Sequence, residues 1–114
     1  MDTIDSSDVR RRIQAVHDTM YVLSGKWKIS ILASLCFGVK RFSEILRDVD
    51  GISGKVLSRE LKDMEMNLLI KRTVLNTHPV TIQYEITEYC DMLIPIIHNL
   101  SEWGIKHRKK IIER

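Results

Sequence analysis

Cysteine is scarce in this chain: two among 114 residues, Cys36 and Cys90. They are too few and too widely spaced for a zinc motif or a disulfide framework, and they read as reduced, cytosolic thiols. Proline is as rare, at Pro79 and Pro95, and the five glycines form neither a phosphate-cradling loop nor a linker. The four histidines, His17, His78, His98 and His107, are scattered, with no metal-ligand spacing and no partner nucleophile. These absences exclude the recognisable enzyme frames, and neither a metal nor a cofactor is expected. No apolar run approaches the ~18 residues of a membrane span, and the polar start is not a signal peptide, so a cytoplasmic protein without a membrane partner is expected.

What the chain does have is ordinary globular material, 44% hydrophobic and 29% charged, with room for one modest core. A net charge of +3 is too small to argue function by itself, so placement decides. Residues 1–7 read as a loose polar tail, and 8–114 as a single domain. Ser6 or Ser7 can cap a helix starting near Asp8. In it Val9, Ile13, Val16, Met20 and Leu23 form a narrow seam. That seam covers either the domain's own core or a partner subunit.

A second helix is predicted from about Lys26 to Phe37, with Trp27, Ile31, Leu32 and Leu35 inward. A third runs from about Arg41 to Val49, with Phe42, Ile45 and Leu46 inward, and Asp50-Gly51 is a turn. Ser53 then caps a helix over residues 53–66. On a helical wheel with Lys55 at zero, Lys55, Ser58, Arg59 and Lys62 fall between about −60° and +40°, while Leu57, Leu61, Met64 and Leu68 fall between about 180° and 240°. One side is cationic and hydrogen-bonding; the opposite side is apolar. A helix anchored so suits a DNA groove, where Arg59 could fork onto guanine and Ser58 could meet a base or a phosphate. Lys40 and Arg41, before the third helix, could pin the DNA backbone. Ser53 is a cap first, at a helix N-terminus that also suits a phosphate.

Residues 69–75 and 81–86 read as two strands of a hairpin, the second alternating cleanly, with a turn at Asn76-Thr77-His78-Pro79. Lys71 and Arg72 read as strand charges, with backbone contact as the lesser alternative. Asn67 is expected to make the turn out of the basic helix. Thr87 should cap a long last helix from about Glu88 past Lys106, kinked at Pro95. Its stripe Ile96, Ile97, Leu100 and Trp103 is core or dimer interface. Its basic end, Lys106 to Lys110, reads as a solvated helix end. Cys90 would stand in that helix's first turn, where a lowered thiol pKa and a redox role are the alternative to a buried filler.

Gly25-Lys26-Trp27, Arg41-Phe42-x-Glu44-Ile45, Gly51-Ile52-Ser53-x-Lys55-x-Leu57-Ser58-x-x-Leu61, Tyr84-x-x-Thr87 and Trp103-Gly104 occur in this order. Together they resemble the HxlR-type family of winged-helix transcription regulators, related to the MarR group, over roughly residues 17–107. The resemblance implies a mainly α winged helix-turn-helix fold with a small β-hairpin and extended terminal helices. It implies a homodimer held by those helices, through Val9, Ile13, Val16, Met20, Ile96, Ile97, Leu100 and Trp103. It also implies double-stranded DNA as partner, with a palindromic operator. Helix 53–66 would enter the major groove, and the wing, residues 76–81, would approach the backbone. The DNA-contact set is then Lys40, Arg41, Ser53, Lys55, Ser58, Arg59, Lys62, His78 and Thr81. Three features depart from the family. The wing carries Pro79-Val80-Thr81 in place of Pro-Pro and a cation. Leu68 stands where the family often has glycine. No cysteine precedes Cys36, whereas thiol-sensing members carry one near the N-terminus. Two rival readings are a winged helix that binds protein without DNA, and a thiol-responsive regulator using Cys90.

Overall fold

The computed structural model describes residues 5–113. Five α-helices and a small sheet follow in the order α1 (Ser6–Val22), α2 (Lys28–Leu35), β1 (Lys40–Arg41), α3 (Phe42–Asp48), α4 (Gly54–Met66), β2 (Ile70–Leu75), β3 (Thr81–Ile86), a 3₁₀ turn (Glu88–Cys90) and α5 (Leu93–Ile112). This is a winged helix-turn-helix. The core joins Ile31, Leu32 and Leu35 of α2, Ile45 of α3, Leu57, Leu61 and Met64 of α4, and Ile70 and Tyr84 of the sheet. The apolar sector read on the α4 wheel is thus the sector that is buried.

The ends of several elements move from their expected places, each for a local reason. The residue that caps α1 is Asp5, whose carboxylate accepts the Asp8 N–H at 2.9 Å, so Ser6 and Ser7 lie in the first turn. Of the loose tail expected over 1–7, residues 1–4 lie outside the described residues and residues 5–7 are cap and helix. α2 is shorter than its apolar pattern, with Trp27 at its N-cap and Gly38, at φ 126°, beyond its end. Glu44 starts α3 by accepting the Arg41 N–H at 2.9 Å. α5 starts at Leu93, not Glu88; Thr87 caps the 3₁₀ turn instead, accepting the Cys90 N–H at 3.1 Å. Pro95 therefore falls in the first turn of α5, where a missing N–H costs no intrahelical bond, and it does not interrupt the helix.

The hairpin is part of a three-stranded antiparallel sheet in the order β1-β3-β2. β1 pairs Lys40 with Tyr84 and Arg41 with Gln83, and a two-residue strand leaves no periodicity for a sequence reading to find. In the hairpin Ile70, Arg72 and Val74 face Ile86, Tyr84 and Ile82, and Lys71, Thr73 and Leu75 face Glu85, Gln83 and Thr81.

The turn out of α4 is made by Leu68, not by Asn67. Asn67 keeps φ −90°, while Leu68 takes φ 64°. The Leu69 N–H reaches the Met64 carbonyl at 2.9 Å and the Leu68 N–H the Glu65 carbonyl at 3.1 Å, which is a Schellman cap with leucine at the position glycine favours. A branched side chain there works against the backbone, and Leu68 is 62% exposed, so it returns little packing. Leu68→Gly should stabilise the protein by roughly 0.5–1 kcal/mol, raising the urea midpoint without altering the slope. A lower midpoint would show that the leucine side chain contributes more than its strained backbone costs.

Candidate nucleic-acid interface

The geometry of α4 follows from three sectors of its circumference. Leu57, Leu61 and Met64 anchor it to the core. Glu60 and Asp63, at about 140° and 80° on the wheel, form one flank. Both meet Lys28, whose Nζ lies 2.7 Å from Glu60 Oε2 and 3.2 Å from Asp63 Oδ2 and donates to the Ser24 carbonyl at 3.4 Å. Lys28 is only 7% exposed. Burial opposes its charge, but the two carboxylates outweigh it and hold its pKa above the ordinary lysine value. Sequence reasoning missed this residue. Its signal was a lysine at i, i+4 and i+7 with Leu32 and Leu35, on the inward face of α2.

The third sector carries Lys55, Ser58, Arg59 and Lys62, all exposed. Among the described residues none of the three cations has an ion-pair partner; of the acids of the same helix, Glu60 and Asp63 are taken up by Lys28, while Glu65 lies beside Ser58 and Lys62. Ser53 Oγ accepts the Val56 N–H at 3.1 Å, so its cap role is in place. Gly51, at φ 87°, turns the chain from α3 into α4.

The remaining expected contacts divide. Arg41 is exposed and lies in no ion pair among the described residues. Lys40 does not fit the expectation of a backbone contact. Its Nζ pairs with Asp48 and lies 3.4 Å from Ser34 Oγ, which itself donates to Asp48 at 2.9 Å. The lysine and then the serine hold the Asp48 carboxyl below its usual range, so this tie between α2, β1 and α3 weakens as pH falls through that lowered value. At the wing, His78 is exposed. Thr77 Oγ1 donates to the Pro79 carbonyl at 2.7 Å and lies 2.9 Å from Thr81 Oγ1, so Thr81 is half-buried and already bonded within the wing.

The terminal helices present apolar surface. No residue of α1 is buried, and Val9, Ile13, Val16 and Met20 are 44–59% exposed. Of the expected seam only Leu23, just past the end of α1, covers the subunit's own core; the other four residues do not. Ile96, Leu100 and Trp103 of α5 are also exposed. Ile97, expected with them, is 5% exposed and belongs to the core, because it stands about 100° round α5 from Ile96. Cys90 is buried as well. Burial first, then Cys36 and the Asp91 carboxylate, push its thiol pKa up, the reverse of the lowering expected from a helix N-terminus. No helix among the described residues is long and apolar enough to cross a membrane.

Comparison with known proteins agrees with this geometry. Residues 22–112 match the HxlR-like helix-turn-helix family. The HTH-type transcriptional regulator YtcD of Bacillus subtilis, itself uncharacterised, is 37% identical over 97 residues, covering 85% of this chain and 77% of YtcD. A second uncharacterised HTH-type transcriptional regulator, from Halalkalibacterium halodurans, is 31% identical over 108 residues, covering 90% of this chain and 96% of the relative. The reduced form of the redox regulator HypR superposes with a TM-score of 0.78 at 30% identity, covering 88% of this chain and 99% of HypR. The relatives and the fold are those of transcription regulators and not of enzymes. On residues 22–112, most of its length, the chain belongs to the HxlR-like helix-turn-helix family of transcriptional regulators.

Proposed function

We propose that this regulator binds double-stranded DNA sequence-specifically, as a cytoplasmic homodimer. The observation that carries the reading is the cationic sector of α4: it projects into solvent with none of its cations ion-paired among the described residues, on a helix whose other two sectors are fixed to the subunit. α4 lies in the major groove, with Arg59 reading a base edge and Lys55, Ser58 and Lys62 divided between bases and phosphates. Arg41 and the N-terminus of α4 at Ser53 take the backbone, and the wing approaches it with His78 and Thr81. Lys40, held by Asp48, is left out of the contact set.

The dimer brings together α1, through Val9, Ile13, Val16 and Met20, and α5, through Ile96, Leu100 and Trp103. Gly104 supports it: a glycine in a helix interior costs about 1 kcal/mol, and nothing in the subunit lies within 4 Å of where its Cβ would stand. Two-fold pairing sets the α4 helices about one DNA turn apart, ~34 Å, on a palindromic operator. The buried Cys90 thiol weighs against the thiol-responsive alternative, and the cationic sector against a protein-only module.

Selection of bound duplexes from a random pool tests the reading, with an inverted repeat as the expected product. On the selected site Arg59→Ala should cost about 1–3 kcal/mol and relax specificity at one position of each half-site, read by fluorescence anisotropy. Failure of the pool to yield any consensus, together with salt-insensitive binding to duplex, would favour a protein-interaction module instead.

A further inference from the structure

Arg72 lies outside the contact set derived above, yet it shares a groove with two members of it. Strand alternation puts Arg72 on the inward face of the hairpin, between Ile70, which is fully buried, and Val74, and directly opposite the buried Tyr84. A cation on such a face is ordinarily matched by a carboxylate or held there by its stem alone. Arg72 is exposed and has no ion-pair partner among the described residues. It lines a groove of about 530 Å³ between α4 and the hairpin, whose other wall includes Ser58, Lys62 and Glu65. The neighbouring Lys71 lies on the opposite face of the sheet, across from Glu85.

We infer that Arg72 and Lys62 together grip the sugar-phosphate ridge that separates the groove read by α4 from the one approached by the wing. This rests on the proposed DNA-binding mode. If one element occupies the major groove and the hairpin loop stands beside it, the intervening phosphate backbone must pass between α4 and β2, and that passage is this groove. A guanidinium from the strand and an ammonium from the helix close on it from two sides, with the Ser58 hydroxyl as a third donor. Arg72 is held in register opposite Tyr84, which lines the same groove and gives the contact a fixed origin. Glu65 in the same wall opposes binding of any duplex equally. The groove therefore supplies affinity and register and carries no sequence information.

The adjacent position provides the control. Arg72→Gln removes the charge and keeps a polar stem opposite Tyr84; Lys71→Gln removes the same charge from the other face. Binding of wild type and both variants to the selected duplex and to an unrelated duplex is measured across a salt series. For a dimer, Arg72→Gln should flatten the log–log salt slope by about 2, from about 0.9 per phosphate contact and one contact per subunit. It should weaken both duplexes by the same factor, and Arg72→Lys should restore most of the slope. Lys71→Gln should leave the slope within a few tenths of wild type. Equal slopes for Arg72→Gln and Lys71→Gln, with wild type binding normally, overturn the inference and leave the proposed function standing. Wild type that binds neither duplex overturns both. Thermal melts of each variant establish that folded protein is compared.

Discussion

Glu60→Ala will destabilise the protein by about 3 kcal/mol, well beyond what an exposed ion pair is worth. The reason is the burial of its partner. Lys28 has little access to water, and its nearest acceptor is Glu60 at 2.7 Å; Asp63, the second acceptor, is itself half exposed. Truncating Glu60 leaves a buried ammonium with one solvated partner, and such orphaned charges are costly. For a chain of this size the expected fall in Tm is on the order of 10 °C. Replacing both ends, Lys28→Met with Glu60→Leu, removes the charge along with its partner and should restore stability to within about 1 kcal/mol of wild type. A single variant that melts like wild type would mean that the pair contributes no more than a surface contact. The pH dependence has a fixed sign. The folded pKa of Lys28 is raised above its ordinary value of 10.5, so its contribution is fully present below that pH and is lost as pH rises through the raised value. Melting curves between pH 6 and 9 should therefore not move on its account.

The second large effect concerns the terminal helices. Val16→Asp is expected to give a monomer in light scattering and to lower affinity for the paired operator by about 100-fold or more, since the second half-site no longer benefits from linkage to the first. α1 is a helix of 17 residues with nothing buried in its own subunit. Helices of that length are marginal alone in water, so the variant should also lose far-UV helical signal as α1 frays. An Arg12→Asp variant, in the same helix but off the seam, changes charge without touching the apolar row and should remain dimeric. If Val16→Asp stays dimeric with full helicity, the Val9–Ile13–Val16–Met20 row is not the interface.

The two effects act at different places on one design. The Lys28 tie and the leucines of α4 fix the helix about its own axis, which decides where Arg59 points. In the proposed dimer the terminal helices set how far apart two such helices stand. On the proposed binding mode, an error in the first should blur base recognition within a half-site, and an error in the second should misplace one half-site contact relative to the other.

Much of this was legible in the residues. A leucine row opposite a lysine, serine and arginine row can fold on a scaffold in only one orientation, because burying the cations would cost several kcal/mol each and burying the leucines is favourable. Period-two alternation over residues 81–86 set the second wing strand to the residue, and the Ser53 cap set the start of α4. Those signals are local, carried by hydrophobic period and by the hydrogen-bonding habits of single side chains.

What only the tertiary structure decided involves partners distant in sequence. Lys28 meets Glu60 and Asp63, and Lys40 meets Asp48, so one lysine became a buried anchor and another was tied within the subunit; sequence alone gives lysine the same charge in either role. β1 exists because β3 offers it an edge, not because Lys40-Arg41 prefers a strand. Leu68 takes the left-handed turn because the Schellman bonds to Met64 and Glu65 outweigh its backbone preference. Ile97 went to the core while Ile96 remained outside, a matter of how α5 is rotated against α2. Period and capping are written residue by residue, whereas ion pairing, strand addition and helix rotation depend on which surfaces the folded chain brings within reach.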